Sequence, residues 1–247
     1  ELAIVAKYKV PLVITSLGAG SDLIDEVHKY GGIVFHDIIN MRHARNAVGA
    51  GVDGLIAVGA GAGGHTGQAN PFALINEIKK EFDVTVLLSG SLSSGGDIAA
   101  AQTMGADFAY MGTRFIATEE SLSQDDYKKM IVDAQASDIV LTDTITGVNA
   151  NFMSQSLNAV GIDIESLQDH GAVDINKELS EARDGHSNEI RPWRDIWSAG
   201  QGVGTISSVE PVASLVETLT QEYHARIAEQ VELGAHFAAY PHSLFEG

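Results

Sequence analysis

There is no cysteine anywhere in the chain. That excludes a disulfide framework, a thiolate nucleophile and a cysteine-ligated zinc. Basic residues are scarce: 15 Lys and Arg stand against 33 Asp and Glu, a formal net charge of −18. A field of that sign repels nucleic acid and anionic membrane surfaces, so neither is an expected partner; it says nothing about fold. No apolar run reaches the roughly 20 residues a membrane-spanning helix needs. The opening stretch ELAIVAKYKV lacks the basic start and the cleavage site of a signal peptide. Together these absences set the expectation of a cytoplasmic protein. Position 1 is Glu rather than Met, which bears on the strand count below.

What is present is an alternation. The chain has 247 residues, 45% of them hydrophobic, enough for one large core or two small ones. Apolar runs of strand length occur at residues 10–18, 32–39, 54–60, 84–90 and 108–115. They are continuous rather than alternating, as suits parallel strands buried on both faces. Helical patterns lie between them. SDLIDEVHKYG starts with Ser21 as N-cap and stops at Gly31; MRHARNAVGAG carries Ala44, Ala47 and Val48 at helical spacing. PFALINEIKKEF opens with Pro71 at its first position, and GDIAAAQTMGA follows the fourth strand. Such alternating units predict a parallel α/β fold in one domain over residues 1–247. Strand starts recur roughly every 20 to 30 residues, the pace of an eight-fold β/α barrel. Five strands also suit a doubly wound open sheet.

Beyond Phe115 the pattern changes. QDDYKKMIVDAQ reads as a helix, and residues 138–190 read as a mostly helical excursion, a lid or cap, rich in Asn, Asp, Ser and Gly and without strand pattern. A long amphipathic helix, VEPVASLVETLTQEYHARIAEQVELGAHF, closes the fold.

Parallel strands put all their C-terminal loops on one face, where ligands bind in barrels and in open sheets. Three of these loops are rich in glycine: GAGAGGHTG, SGSLSSGGD and MGTRFIATEES. Gly90 and Ser91 offer backbone N–H groups; Gly112 and Thr113 add N–H donors and a hydroxyl. Two adjacent loops of this kind beside a helix N-terminus predict a phosphate-bearing cofactor. A single loop would only make a tight turn. His65 follows Gly63 and Gly64, which let the backbone approach a flat ligand, and an imidazole there can orient an anion or move a proton near neutral pH. His36 ends a strand and is expected to face the mouth. His28, His224 and His236 read as helix-surface residues, and His170, His186 and His242 as loop residues; no grouping predicts a metal site. In RPWRDIWSAGQGVG, at least one of the two Trp is expected to be a buried anchor, and SAGQGVG to return to the cofactor.

Five stretches together carry a family resemblance: FHDIINMRHARNAVGAGVDGLI, AGAGGHTG, NPFALI, LLSGSLSSGGDIAAAQTMGADFAYMGTRFIATEES and RPWRDIWSAGQGVG. In that order, over nearly the whole chain, they resemble the nitronate monooxygenase family, formerly called 2-nitropropane dioxygenase. The resemblance implies a TIM barrel with FMN at its C-terminal mouth. By position, Ser89, Gly90, Ser91, Met111, Gly112 and Thr113 would bind the FMN phosphate, and Ser198, Gly200 and Gln201 would line the cofactor pocket. His65 would be the active-site histidine, positioning a nitronate or taking the proton from a neutral nitroalkane. The implied chemistry is oxidation of the nitronate by O2 to a carbonyl compound and nitrite, with the flavin carrying the electrons.

Against the family pattern, the five strands correspond to the last five of eight. Five strands cannot close such a barrel. With no Met at position 1, the expectation is a chain shortened at its N-terminus, its exposed strand edges open to pairing in a homo-oligomer. Some relatives carry Lys where Asp37 stands and an acidic residue where Val58 stands. Two alternatives remain open: an NAD(P)H-dependent flavin reductase of enoyl thioesters on the same scaffold, and a phosphate-ligand-binding module without catalysis.

Overall fold

The computed structural model describes residues 1–18, 20–162, 164, 167 and 192–238. In chain order its strands are β1 (Leu12–Thr15), β2 (Ile33–Ile38), β3 (Gly54–Val58), β4 (Gly64–His65), β5 (Thr85–Ser89), β6 (Phe108–Tyr110), β7 (Ile139–Thr142) and β8 (Ala150–Met153). The helices are α1 (Leu2–Tyr8), α2 (Ser21–His28), α3 (Met41–Ala50), α4 (Pro71–Glu81), α5 (Gly95–Met104), α6 (Thr113–Ile116), α7 (Asp125–Asp133), α8 (Ser154–Ala159) and α9 (Val212–Ala238). Five strands form one all-parallel sheet in the order β1-β2-β3-β5-β6. These are the five strands expected from the apolar runs. The sheet is open among the described residues, with β1 and β6 as its edges.

The two faces of this sheet differ. Val34, Ile38, Leu55, Ala57, Val86 and Leu88 point to the helices and pack against Ile24 and Val27 of α2 and Leu74, Ile75 and Ile78 of α4. Each buried Val, Leu or Ile side chain among them contributes about 1.5–3 kcal/mol by leaving water. The other parity points inward, as in a barrel. Phe35, Ile56 and Val58 make a small cluster there with Ala62. Register puts Ile14 opposite Phe35 and Phe108 opposite Leu87, so the inner face runs out to both edges. There it meets solvent: Ile14 is 42% exposed and Phe108 57%.

Helix starts follow local chemistry. Asn40 and Asn70 cap α3 and α4 through their side chains, and Pro71 begins α4 as expected. Ser94 and Asp97 form a reciprocal capping box on α5. At α2 the expectation is corrected by one position: Gly20 is the N-cap and Ser21 already lies inside the helix, without a side-chain cap. Gly31, at φ +80°, turns the chain after the helix has ended at His28.

The segment expected to be helical and strandless begins instead as a β-hairpin. β7 and β8 pair antiparallel, and β4 adds to β8 as the third strand of a second sheet. All four residues of β8 are buried, so their side chains carry no inside–outside alternation to read. The short helix α8 follows; the remainder of the expected excursion, including His170 and His186, lies almost wholly outside the described residues, as does His242. The final helix α9 packs its first half on α5. A Cβ at Gly95 would collide with the Leu219 carbonyl, and Tyr223 Oη meets Gln102 Oε1 at 2.7 Å. Among the described residues no helix is long and apolar enough to cross a membrane.

Candidate functional site

Three loops leave the C-terminal ends of β3, β5 and β6 and meet the segment 198–202. Glycines make that meeting possible, because the loops touch through their backbones. The Gly61 carbonyl accepts N–H bonds from Ser91 at 3.2 Å and from Gln201 at 2.9 Å. A Cβ on Gly63 would stand 2.8 Å from the Gly200 nitrogen, and one on Gly200 2.7 Å from the Gly61 oxygen. Gly61 and Gly90 also hold φ values of +88° and +119°, open at low cost only to glycine. Much of the glycine that the sequence suggests for ligand approach is used for loop-on-loop packing.

Between these loops lies a cleft of about 250 Å³. Ala62 and Gly63 line it from the first loop, Ser89 to Leu92 from the second, Tyr110 to Thr113 with Ile116 from the third, and Ser198, Gly200 and Gly202 from the last segment. None of these side chains is charged, in a chain of net charge −18. The donors are therefore dipoles. The N–H groups of Gly90 and Gly112 carry no hydrogen bond among the described residues. The Thr113 hydroxyl accepts the Gly200 N–H at 2.9 Å, which leaves its own O–H to donate outward. A Cβ at Gly112 would meet nothing within 4 Å, so the backbone there faces open space.

Two details differ from the expected anion cradle. The Ser91 N–H is taken by Gly61, so Ser91 brings only its hydroxyl to the cleft. The N-terminus of α5 is already neutralised: the Ser93 and Ser94 N–H groups donate to Asp97 at 2.9 and 2.8 Å, and the Gly95 N–H to Glu222 at 2.7 Å. Carboxylates occupy the place where the helix dipole would favour a phosphate. Gln201 lies outside the cleft lining, packed over Gly61.

His65 stands beside the cleft on β4, two residues past Gly63, and is exposed. β4 is fixed by pairing with β8, His65 opposite Ala150 and Gly64 opposite Asn151. The buried Asn151 amide donates to the Ala62 carbonyl at 2.7 Å, tying the cleft wall to the hairpin. Trp193 meets the imidazole edge-to-face at 5.1 Å. Partial desolvation holds the His65 pKa below the ordinary imidazole value. At neutral pH the ring is uncharged and able to accept a proton.

The remaining expectations fall out by register. His36 shares the parity of Val34 and Ile38, so it points under the helices and not into the mouth; it is buried and meets Thr15 Oγ1 at 2.7 Å. Burial lowers its pKa, and the nearby His43 adds to the effect. Asp37 shares the parity of Phe35 and lies opposite Ile56, on the inner face. Its Oδ1 is buried without a partner among the described residues, and desolvation raises its pKa against a Ser16 hydrogen bond. Neither Trp is a fully buried anchor: Trp197 is half-buried, stacked on Tyr127 at 5.0 Å, and Trp193 is exposed. Tyr127, whose hydroxyl donates to the Ser198 carbonyl, and Asn151 are supports that no motif pointed to. Among the described residues no cluster of three or more His, Asp or Glu forms a metal site.

A family model described as nitronate monooxygenase matches residues 1–222. A nitronate monooxygenase of Paraburkholderia phytofirmans is 31% identical over an alignment 243 positions long, which covers 92% of this chain and 65% of that protein. The chain therefore spans about two thirds of the length of that relative. Among solved structures, FabK from Thermotoga maritima superposes with a TM-score of 0.74 at 25% identity, covering 94% of this chain and 74% of that one. A nitroalkane oxidase from Streptomyces ansochromogenes gives 0.72 at 25% identity, covering 93% and 68%. The parallel strands and their helices are thus part of a TIM-barrel fold, open among the described residues.

Proposed function

The chain belongs to the nitronate monooxygenase family, and on that premise we propose that it serves a flavin oxidoreductase that binds FMN at the mouth of the sheet and oxidises alkyl nitronates or nitroalkanes with O2 to a carbonyl compound and nitrite. One observation carries the reading: an uncharged cleft, supplied with backbone and hydroxyl donors by two adjacent loops, opens beside an imidazole that is neutral at pH 7.

The residues present fit a phosphate. The Gly90 and Gly112 N–H groups and the Thr113 hydroxyl would hold it, with the Ser89 and Ser91 hydroxyls beside them. Such a nest binds an anion through oriented dipoles, with no cation required. Gly63, Met111, Ser198 and Gly200, which line the cleft, would flank the rest of the cofactor, with Gly64 and Gln201 behind that lining. FMN supplies the electron transfer between substrate and O2 when bound. His65 supplies the proton chemistry. Its neutral imidazole takes the proton from the carbon that bears the nitro group, and the imidazolium so formed faces the resulting nitronate anion. A substrate already deprotonated needs only the orienting role.

The test is a visible spectrum of the purified chain with added FMN, recorded after desalting, followed by nitrite release from an alkyl nitronate. Flavin bands that survive desalting, with nitrite formed at the rate O2 is consumed, support the reading. A colourless protein after desalting overturns the cofactor assignment. Bound FMN with NADH consumed on an enoyl thioester, and no nitrite from nitronate, replaces the substrate class.

A further inference from the structure

Trp193 is 46% exposed, and an exposed indole on a turn has no burial to fix it. Two features fix this one. One side of it stacks on the buried Phe152 of β8, with centroids 5.2 Å apart and planes 28° apart. Its backbone sits at φ +70°, a left-handed conformation that a bulky L residue rarely takes. The turn that imposes this is closed by a bridge between Pro192 and Ile196. Trp197 then straps the turn down: its N–H donates to Ser156 Oγ at 2.6 Å, and its carbonyl accepts the Met153 N–H at 2.9 Å. Backbone strain of this kind persists where the surroundings over-determine it, and it clusters at ligand sites. Here the strained residue delivers its ring to His65, edge-to-face at an interplanar angle of 82°.

We propose that Trp193 is a positioning residue for His65: braced on Phe152 by the strained turn, its indole sets the direction of the imidazole and keeps water from that flank. The inference rests on the reading of His65 as the group that handles the substrate proton.

The charge environment agrees with it. Desolvation is the cause of the lowered His65 pKa. β8 brings Ala150 and Asn151 opposite β4, and neither titrates. The turn brings Arg194 and Asp195, which are joined to each other by two hydrogen bonds of 2.8 and 2.7 Å. The indole, edge-on to the imidazole at 5.1 Å, takes part in that desolvation.

The experiment is an NMR titration of the His65 Cε1–H in the full 247-residue chain. The signal is assigned by its loss in His65→Asn and followed in the wild type, Trp193→Phe and Trp193→Ala. In Trp193→Ala the ring-current shift at His65 disappears and its pKa rises toward the ordinary imidazole value; Trp193→Phe retains part of both. With FMN and a neutral nitroalkane, kcat of Trp193→Ala falls on the order of tenfold with KM little moved. The acid limb of its pH profile moves up with the His65 titration. Should Trp193→Ala fail to fold, Trp193→Phe and Phe152→Leu carry the test, since loss of the brace must move the same signal. An unchanged His65 shift and titration in the folded Trp193 variants overturns the proposal. Full turnover in His65→Asn overturns the catalytic reading instead, and leaves the indole–imidazole coupling to be judged by the NMR signal.

Discussion

Gly63 and Gly200 touch backbone to backbone, so closely that a Cβ on Gly63 would stand 2.8 Å from the Gly200 nitrogen. Neither partner there is a flexible side chain that can swing aside. Gly63→Ala is therefore expected to push the first loop off segment 198–202, costing about 1–3 kcal/mol as overpacking does and abolishing FMN uptake. Gly112→Ala is the contrast. Its added methyl meets open space and its φ of −116° suits any L residue. The fold should keep its stability while FMN binds more weakly, because the methyl enters the cradle. Thermal unfolding and FMN titration of the two variants check this. Equal losses of stability would remove the distinction between loop packing and ligand contact.

Asp37 yields a prediction with a definite sign. Burial raises its folded pKa above the unfolded value. Such a group contributes stability below its unfolded pKa, and that contribution is lost as pH rises through the folded value. Once ionised, the carboxylate has its Oδ1 buried and without a partner among the described residues. Asp37→Asn should then stabilise the chain by about 1 kcal/mol at pH 7.5, the scale of a buried unsatisfied group. The gain should shrink toward acid pH, where Asp37 is itself neutral. Urea unfolding at several pH values reads the difference directly; a gain that grows as pH falls would contradict the assignment.

These two cases mark how far the amino-acid order alone could lead. The five parallel strands are readable as continuous apolar runs, although of the five β3 alone is buried throughout and the edge strands β1 and β6 are partly exposed, and α4 is readable because Pro71 announces its start. The same continuity hid which way His36 points. In GIVFHDII both parities are largely apolar, so only register with β1 and β3 separates His36 under the helices from Asp37 on the inner face. The glycines of the first loop were visible, but their partner segment lies far along the chain, and nothing local says that Gly63 packs on Gly200. β8 is illegible in the sequence for a related reason. Four buried residues, one of them Asn151, show no alternation, and their burial depends on the hairpin they form with β7.

Arg114 and Glu210 tie the loop after β6 to the start of α9. Their side chains are 10% and 21% exposed, and Arg114 Nη1 is buried without a partner among the described residues. Removing one member leaves an uncompensated buried charge, which costs about 3–5 kcal/mol. Glu210→Ala is expected in that range. Glu81→Ala, which breaks the exposed pair with Arg45, should have little effect. Denaturant unfolding of both variants is the check, and a Glu210→Ala loss no larger than that of Glu81→Ala would show that water reaches the Arg114 guanidinium.

The open inner face of the sheet sets the last expectation. Ile14 on one edge and Phe108 on the other lie on the same apolar face, together with Ile33 and Tyr110, each more than 40% exposed. Unpaired strand edges beside exposed apolar surface favour association of copies through edge pairing and burial. The net charge of −18 opposes it. The two forces respond differently to salt, since screening weakens the repulsion and leaves apolar burial intact. Self-association of the chain should therefore rise with salt concentration, the reverse of an assembly held by ion pairs. Ile14→Lys with Phe108→Lys should reduce it at every salt concentration, because the new charges sit in the face that must dehydrate. Sedimentation velocity in low and high salt tests both statements. A wild-type chain that stays monomeric in high salt, or a double variant that associates as well as the wild type, would mean that this face is not where copies meet.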